Sequence, residues 1–193
     1  MREALLTCVL GLFIGACVTS SLIGMNSELY KCNPMKSDQL VKLPGWNNAW
    51  QVTKGCSTAH PEEVSIAMKI FYMHWLEMFG DSSQTVKINL QRMMIFWGDK
   101  YKITSGYTID GSYRKNLKAQ GLTQTKGMIW VKKGPETKIC ESSLTHELVH
   151  ASIWALKIID GDPDHLGGKY RGWTIDHSAL IQNVDAELCR LGI

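Results

Sequence analysis

The chain has 193 residues, a length that fits one ordinary globular domain. Apolar residues make up 45% and charged residues 20%, and seven Trp residues allow a sizeable hydrophobic core. The net charge of +3 is small and no dense run of Lys and Arg occurs, which argues against a nucleic-acid-binding protein.

The first residues have the layout of a secretory signal: a charge at Arg2, an apolar run over residues 4–15, and small residues before Cys17. The run is shorter than the roughly 20 residues that span a bilayer. Residues 14–17, I-G-A-C, resemble the bacterial lipobox, and this resemblance implies cleavage before Cys17 and acylation of its sulfur. An ordinary signal peptide, or an uncleaved anchor running on to Gly24, is the alternative.

These features predict three segments: a lipoprotein signal peptide over 1–16, a tether over 17–31 and one domain over 32–193. The expected location is a bacterial membrane, with the protein exported, lipid-anchored and facing the periplasm. Val18 follows the cysteine in place of Asp, which in enteric bacteria favours the outer membrane. The anchored chain is expected to be a monomer.

The number of cysteines is also consistent with export. Once Cys8 leaves with the signal peptide and Cys17 takes lipid, an even set of four remains, which in an exported chain argues for disulfides. Three pairings are possible. The pairs Cys32–Cys56 and Cys140–Cys189 are preferred, because each closes a segment that otherwise forms one unit.

Residues 33–54 contain Pro, Gly and scattered Trp and are expected to form irregular covering structure. A helix should begin at Pro61, since Pro suits the first turn and the acids Glu62 and Glu63 suit the positive end of the helix dipole. It should end at Gly80, and its apolar residues recur at three- and four-residue steps: Val64, Met68, Phe71, Trp75 and Phe79.

Three strands are predicted next. Residues 86–97 alternate early and are apolar late, and residues 107–109 and 128–131 are shorter runs separated by turns that contain Gly. The expected order is therefore one helix, several strands, and two further helices that carry histidines.

The first of those helices is predicted to begin near residue 144, after the capping candidates Ser142 and Ser143, and to end before Gly161 and Pro163. Its residues 145–150 read T-H-E-L-V-H, which contains the pattern H-E-x-x-H. Chance produces this pattern in about one chain in a few hundred of this length.

On a helix, positions four apart lie one above the other, so His146 and His150 can direct their imidazoles at one metal ion. Glu147 lies about 100° round from His146, within reach of a metal-bound water. In such sites the Glu takes the proton of a water whose pKa zinc has lowered. The motif therefore predicts one zinc ion per chain, with Glu147 as the catalytic base. Two histidines without a metal are the alternative.

A catalytic zinc usually takes a third ligand from the protein. The final helix, capped by Thr174 or Asp176, places His177 on its apolar face with the residues Leu180, Ile181, Val184 and Leu188. His177 is the preferred ligand because it begins that buried face. Asp176 is the second choice, and the remaining candidates are His165, in a Gly/Pro/Asp loop, and Glu187, near the far end of the helix.

Residues 144–184 resemble the metal-binding core of small zincins of the Spartan-like type, in which a G-H-G-x-x-F segment carries the third ligand. This chain has Asp176-His177-Ser178 at that point and a longer preceding loop. The resemblance implies an α+β zincin-like fold: a small mixed or antiparallel sheet, an H-E-x-x-H helix and a C-terminal helix carrying the third ligand. The DNA-linked role of that family does not suit an exported lipoprotein. Residues 172–176 also faintly resemble the G-T-x-D pattern of aspzincins, in which Asp is the ligand.

Residues 128–131, with Trp130, are expected to offer a strand edge to an extended peptide substrate, as zincins often do; a core strand is the alternative. Tyr170 and Arg171 are candidates for stabilising the oxyanion. A Cys140–Cys189 bridge would hold His177 in register with the other ligands.

The sequence thus predicts a membrane-anchored zinc metallopeptidase that acts on peptides or proteins of the bacterial envelope. A cell-wall peptide amidase or endopeptidase, and a non-catalytic zinc-binding lipoprotein, are the alternatives.

Overall fold

A computed structural model describes residues 39–54, 57, 59–107, 113–156 and 173–193. Several predictions from the sequence lie outside these residues: the signal peptide and tether, most of the strand over 107–109, and the residues Cys17, Cys32, Cys56, His165, Tyr170 and Arg171. The motif helix, predicted to continue until shortly before Gly161, ends earlier, at Ala155, with Leu156 as its C-cap.

The main sheet has five strands, and both parallel and antiparallel pairs occur in it. In spatial order they are β1 (Gln39–Lys42), β2 (Trp50–Lys54), β3 (Met94–Gly98), β7 (Met128–Lys132) and β6 (Gly121–Thr125). The central strands β2, β3 and β7 run parallel, and β1 and β6 pair antiparallel at the two sides. Strands β4 (Lys102–Tyr107) and β5 (Tyr113–Ala119) form a separate antiparallel hairpin.

The described ranges contain four α-helices: α1 (Pro61–Phe79), α2 (Ser83–Leu90), α3 (Leu144–Ala155) and α4 (Ile175–Leu191). Helix α1 begins at Pro61 as predicted and ends at Gly80, whose φ of 39° is a conformation that glycine adopts at little cost. Helix α3 packs against β6, β7 and α4, and α1 packs against α4. None of the described helices is long and apolar enough to cross a membrane.

The main sheet separates two hydrophobic clusters. The helices cover one face, where Ile95, Trp97, Ile129 and Val131 are buried. On the other face Trp130 and Leu122 pack with Ala119 of the β4–β5 hairpin. Ile129 and Val131 belong to one cluster and Trp130, between them, to the other, because side chains alternate between the two faces along a strand.

The α+β class, the mixed sheet and helices α1 and α4 are confirmed, and two local predictions were wrong. Residues 86–97 are not one strand, because helix α2 continues to Leu90 and β3 begins only at Met94. The buried residues Val86 and Leu90 are four apart, whereas Ile88 between them is 45% exposed, so the burial has the helical period. Residues 39–42 and 50–54 form strands rather than irregular structure, because β2 pairs with the distant β3.

Candidate metal centre

The helix that carries the motif is buried on nearly all sides. Its exposed atoms are few, and nine of its twelve residues are buried, including Glu147 and His150. At its start the hydroxyl of Ser142 accepts the Leu144 N–H at 3.2 Å, and the hydroxyl of Ser143 donates to the Gln120 carbonyl at 2.9 Å. The first contact satisfies one N–H of the helix start, and the second fixes that start beside Gln120, the residue before β6.

His146 and His150 converge. Their Nε2 atoms are 3.1 Å apart and their ring planes are inclined by 69°. Two nitrogens bound to one zinc at about 2.05 Å each and separated in this way would subtend about 100° at the ion, close to the tetrahedral angle. His150 is 1% exposed, and His146 is half-buried. The pair therefore suits two ligands of one ion.

Glu147 is 3% exposed, and its carboxylate lies against strand β6. The Thr123 hydroxyl donates to Glu147 Oε2 at 2.8 Å and lies 3.1 Å from the Glu147 carbonyl oxygen. A Cβ added at Gly121 would lie well inside contact distance of Glu147 Oε1 and 2.7 Å from its Cγ. The close approach of the carboxylate thus requires glycine at this point of the strand.

His177 lies in the first turn of α4 and is 6% exposed. Its Nδ1 accepts the Thr174 N–H at 3.0 Å and lies 2.9 Å from Thr174 Oγ1, while its ring stacks on Phe79 with centroids 4.6 Å apart. Burial lowers the pKa of His177 to about 4, and the charge of Asp176 opposes this shift. The ring is therefore neutral at pH 7 and carries its proton on Nε2.

Trp173 joins the start of α4 to the histidine pair. Its ring centroid is 4.8 Å from that of His150, 5.3 Å from that of His146 and 5.9 Å from that of His177, and its indole N–H donates to Ser178 Oγ. The structure thus gathers three imidazoles around one indole. Within the described ranges it groups no three His, Cys, Asp or Glu side chains as closely as one metal ion requires.

The other ligand candidates lie elsewhere. Asp176 is exposed in the first turn of α4, where Thr174 rather than Asp176 is the capping residue. Glu187 pairs with His74, with Nε2 and Oε2 2.8 Å apart.

The expectation that strand 128–131 offers a free edge was wrong. Strand β7 lies between β3 and β6 and is hydrogen-bonded on both sides, and Trp130 is 2% exposed on the sheet face opposite to α3. In the described sheet the outer strand on this side is β6.

The Cys140–Cys189 disulfide is confirmed, with a Cα–Cα distance of 5.4 Å. It joins the turn before α3 to the last turn of α4. The two helices that carry the three histidines are therefore linked covalently at one end.

Comparison of the chain with known protein families, with characterised proteins and with solved structures found no match. Function must therefore be inferred from the site itself.

The sequence indicated His146, Glu147, His150 and His177 but gave no sign of Thr123 or Gly121. Gly121 begins β6, a strand that the sequence did not indicate, so the close approach of Glu147 to this glycine was not predicted. Thr123 and Glu147 are 24 residues apart in the chain, and only folding brings them together.

Proposed function

We propose that this protein is a membrane-anchored, zinc-dependent metallopeptidase of zincin-like fold that hydrolyses peptide bonds in the bacterial envelope. One observation carries the proposal: His146 Nε2 and His150 Nε2 are 3.1 Å apart on a helix whose Glu147 is buried and held by a hydroxyl.

The donor set fits zinc. Imidazole nitrogens are common zinc ligands, and the separation of this pair agrees with zinc–nitrogen bonds of about 2.0–2.1 Å. Without a metal, two neutral imidazoles this close need one ring to donate its N–H to the other.

His177 is the proposed third ligand, and binding would change its proton position. A ring that binds metal through Nε2 carries its proton on Nδ1, which in the structure accepts the Thr174 N–H. Thr174 Oγ1, at 2.9 Å, is placed to accept the Nδ1 proton after that change. Ligation by His177 therefore requires that the Thr174 N–H find another acceptor.

The proposed chemistry is hydrolysis of an amide. Zinc, when bound, lowers the pKa of water and polarises a carbonyl group. Glu147 takes one proton from the attacking water, whose oxygen bonds to the carbonyl carbon, and delivers that proton to the leaving nitrogen as the C–N bond breaks. The hydrogen bond from Thr123 limits the rotation of the carboxylate, so that its orientation is set before substrate arrives.

Strand β6 supports peptides as the substrate class. In the described sheet it is the outer strand beside α3, and it carries both Gly121 and Thr123, which contact the Glu147 carboxylate. An extended peptide can pair with the free backbone groups of an outer strand. The peptide backbone would then run beside the proposed catalytic base.

Glu147→Gln tests the proposal. The amide keeps the shape of the side chain and its acceptor for Thr123 but cannot take a proton. We expect the variant to retain zinc and to lose at least about a thousandfold in hydrolysis of casein or of murein peptides. If Glu147→Gln kept full biological activity, the protein would be a non-catalytic zinc-binding lipoprotein instead. Activity on murein alone would identify a cell-wall endopeptidase.

Metal analysis tests the ligands. The wild-type chain should hold about one zinc per molecule, and His150→Ala should hold none at the same free zinc concentration. His177→Ala should bind zinc at least about tenfold more weakly. An unchanged affinity in His177→Ala would remove His177 from the ligand set while leaving the pair in place.

A further inference from the structure

Positive charge is concentrated in one part of the chain. Residues 100–133 contain eight of the 21 Lys and Arg residues and one of the 18 Asp and Glu residues. This segment carries a formal charge of +7, so the rest of the chain carries −4, although the whole chain has only +3. The small net charge of the whole chain therefore results from a strongly positive segment and a negative remainder.

The fold gathers several of these cations around two aromatic rings. The Lys132 ammonium lies 4.2 Å and the Lys118 ammonium 6.0 Å from the centre of the Tyr101 ring. The Lys102 ammonium lies 4.8 Å from the centre of the Trp130 ring. These residues come from β7, the β4–β5 hairpin and the turn before it, and with the exposed Lys115 we call them the cationic edge.

Three lysines of the cationic edge have no acidic partner in the part of the chain that the structure describes. Within the described residues, Lys115, Lys118 and Lys132 lie within ion-pair distance of no carboxylate. Asp99, which follows β3 nearby, is 3% exposed. Lys133, next to Lys132, is buried and has the charges of Glu63 and Glu141 near it, so it does not belong to the outward-facing edge.

The chain enters the sheet on the same side. The parallel strands end together, where Lys54 pairs with Gly98 and Gly98 pairs with Lys132. Strand β1 is antiparallel to β2 and begins at this end, with Gln39 paired to Thr53. Gln39 and Lys132 are thus three strand spacings apart, about 14 Å. The segment that leads to the N-terminal apolar run therefore joins the domain beside the cationic edge.

We propose that the cationic edge is held against an anionic lipid surface, the membrane that receives the N-terminal apolar run or its lipid. About 22 residues separate Cys17 from Gln39, enough for an extended reach of about 75 Å, so the tether alone does not orient the domain. Lysines near an anionic bilayer are attracted to it, and a tyrosine among them suits the interface. The disulfide indicates an oxidising compartment, where nucleic acid is not the expected polyanion. This orientation does not depend on whether the Glu147 site cleaves peptide bonds.

Lysine footprinting of the full chain in vesicles tests the orientation. The full chain is reconstituted through its N-terminal apolar run into phosphatidylcholine vesicles with and without phosphatidylglycerol, so that only the lipid charge differs. A water-soluble acetylating reagent should label Lys115, Lys118 and Lys132 at least about threefold more slowly on the anionic vesicles, and high salt should remove the difference. Lys42 and Lys126, at the opposite end of the strands, should react equally on both.

Equal labelling of the cationic edge on both lipids would overturn the proposal, as would equal protection of Lys126. A soluble polyanion can also be added to the chain on neutral vesicles. If it protected the cationic edge as well as anionic vesicles do, the proposal would be overturned and a soluble partner indicated.

A pair of variants with the same charge provides a second test. Lys115→Gln/Lys118→Gln/Lys132→Gln should abolish the protection of Lys102. The control Lys42→Gln/Lys69→Gln/Lys126→Gln, in which Lys69 is an exposed residue of α1, should preserve it. Loss of protection in both variants would show that net charge, and not this edge, orients the protein.

Discussion

At the residue scale, the Glu147 carboxylate is fixed by two residues of the neighbouring strand. Thr123 donates a hydrogen bond to it, and Gly121 leaves the space that it occupies. A carboxylate that is 3% exposed and oriented in this way has few other positions available. The proposed base is therefore preorganised by β6 as well as by its own helix.

Gly121→Ala should displace the carboxylate, because the new methyl group would overlap Glu147 Oε1 and lie 2.5 Å from Ser143 Oγ. We expect the free energy of unfolding to fall by about 1–3 kcal/mol in urea titrations and the rate of peptide hydrolysis to fall at least about tenfold.

Gly127→Ala is the matched control, since its added Cβ would meet only the Arg92 carbonyl oxygen at 3.9 Å, an ordinary contact. Equal effects of the two substitutions would mean that glycine flexibility, and not the space beside Glu147, accounts for the loss.

At the element scale, α3 and α4 are held together by a partly buried polar contact and by a disulfide. The Thr145 hydroxyl donates to Asp185 Oδ1 at 2.6 Å, next to His146 in the sequence. Burial raises the pKa of Asp185 to about 6, and the hydrogen bond from Thr145 partly opposes this shift. The contact therefore includes a carboxyl group that is destabilised when it ionises.

Asp185→Asn should make the protein more stable at neutral pH. Between the ordinary pKa near 3.8 and the folded value near 6, the unfolded chain releases a proton that the folded chain keeps, so the contribution of Asp185 falls as pH rises. The amide stays neutral and can still accept from Thr145. Urea titrations should show a gain of about 1–3 kcal/mol at pH 7 and almost none at pH 4.

The lowered pKa of His177 makes the folded protein more stable as pH rises over a similar range, which is opposite to the effect of Asp185. The variant is therefore compared with the wild type at each pH. Glu136→Gln, which removes an exposed acid, should not reproduce the gain. A gain for Asp185→Asn that is the same at pH 4 and pH 7 would contradict the assignment.

The disulfide should contribute measurably to stability, because it closes a loop with a sequence separation of 49 residues. The chain-entropy relation gives about 4 kcal/mol for a loop of this length. Cys140→Ser/Cys189→Ser should therefore unfold at lower urea concentration than the oxidised wild type, by about 2–4 kcal/mol. Reduction of the wild type should give the same loss, and no change on reduction would show that the bridge does not form in solution.

At the scale of the whole molecule, the main sheet separates two kinds of surface. The helices and the candidate metal centre lie on one face, and the β4–β5 hairpin lies on the other. The cationic edge and the chain entry at Gln39 share one end of the strands. A membrane at that end would leave the helical face, with its proposed site, accessible from the side.

Zinc should stabilise the whole fold if the histidine pair binds it. A ligand at 100 times its Kd stabilises by about 2.7 kcal/mol, so zinc should raise the Tm by several degrees. His146→Ala and His150→Ala should lose this shift. His60→Ala, which removes an exposed histidine before α1, should keep it. A shift that persists in His150→Ala would indicate a zinc site elsewhere.

The sequence alone determined the convergence of His146 and His150, because the helical period places residues four apart on one face. It also determined helices α1 and α4, whose apolar residues recur at helical spacing over several turns. The Cys140–Cys189 pair followed from the cysteine count and the arrangement of segments. The histidine pair and the helices depend on local backbone geometry, and only three pairings of the four cysteines were possible.

Only the tertiary structure decided which strand is outermost, which residues hold Glu147 and where the cations meet. Strand β2 pairs with β3, some 40 residues away, and β1 then pairs with β2; local propensity does not contain the distant contact. The contacts of Thr123 with Glu147, and those of Lys118 and Lys132 with Tyr101, join residues from separate parts of the fold. Side-chain spacing within one element is fixed by the backbone, whereas contacts between elements depend on how the whole chain packs.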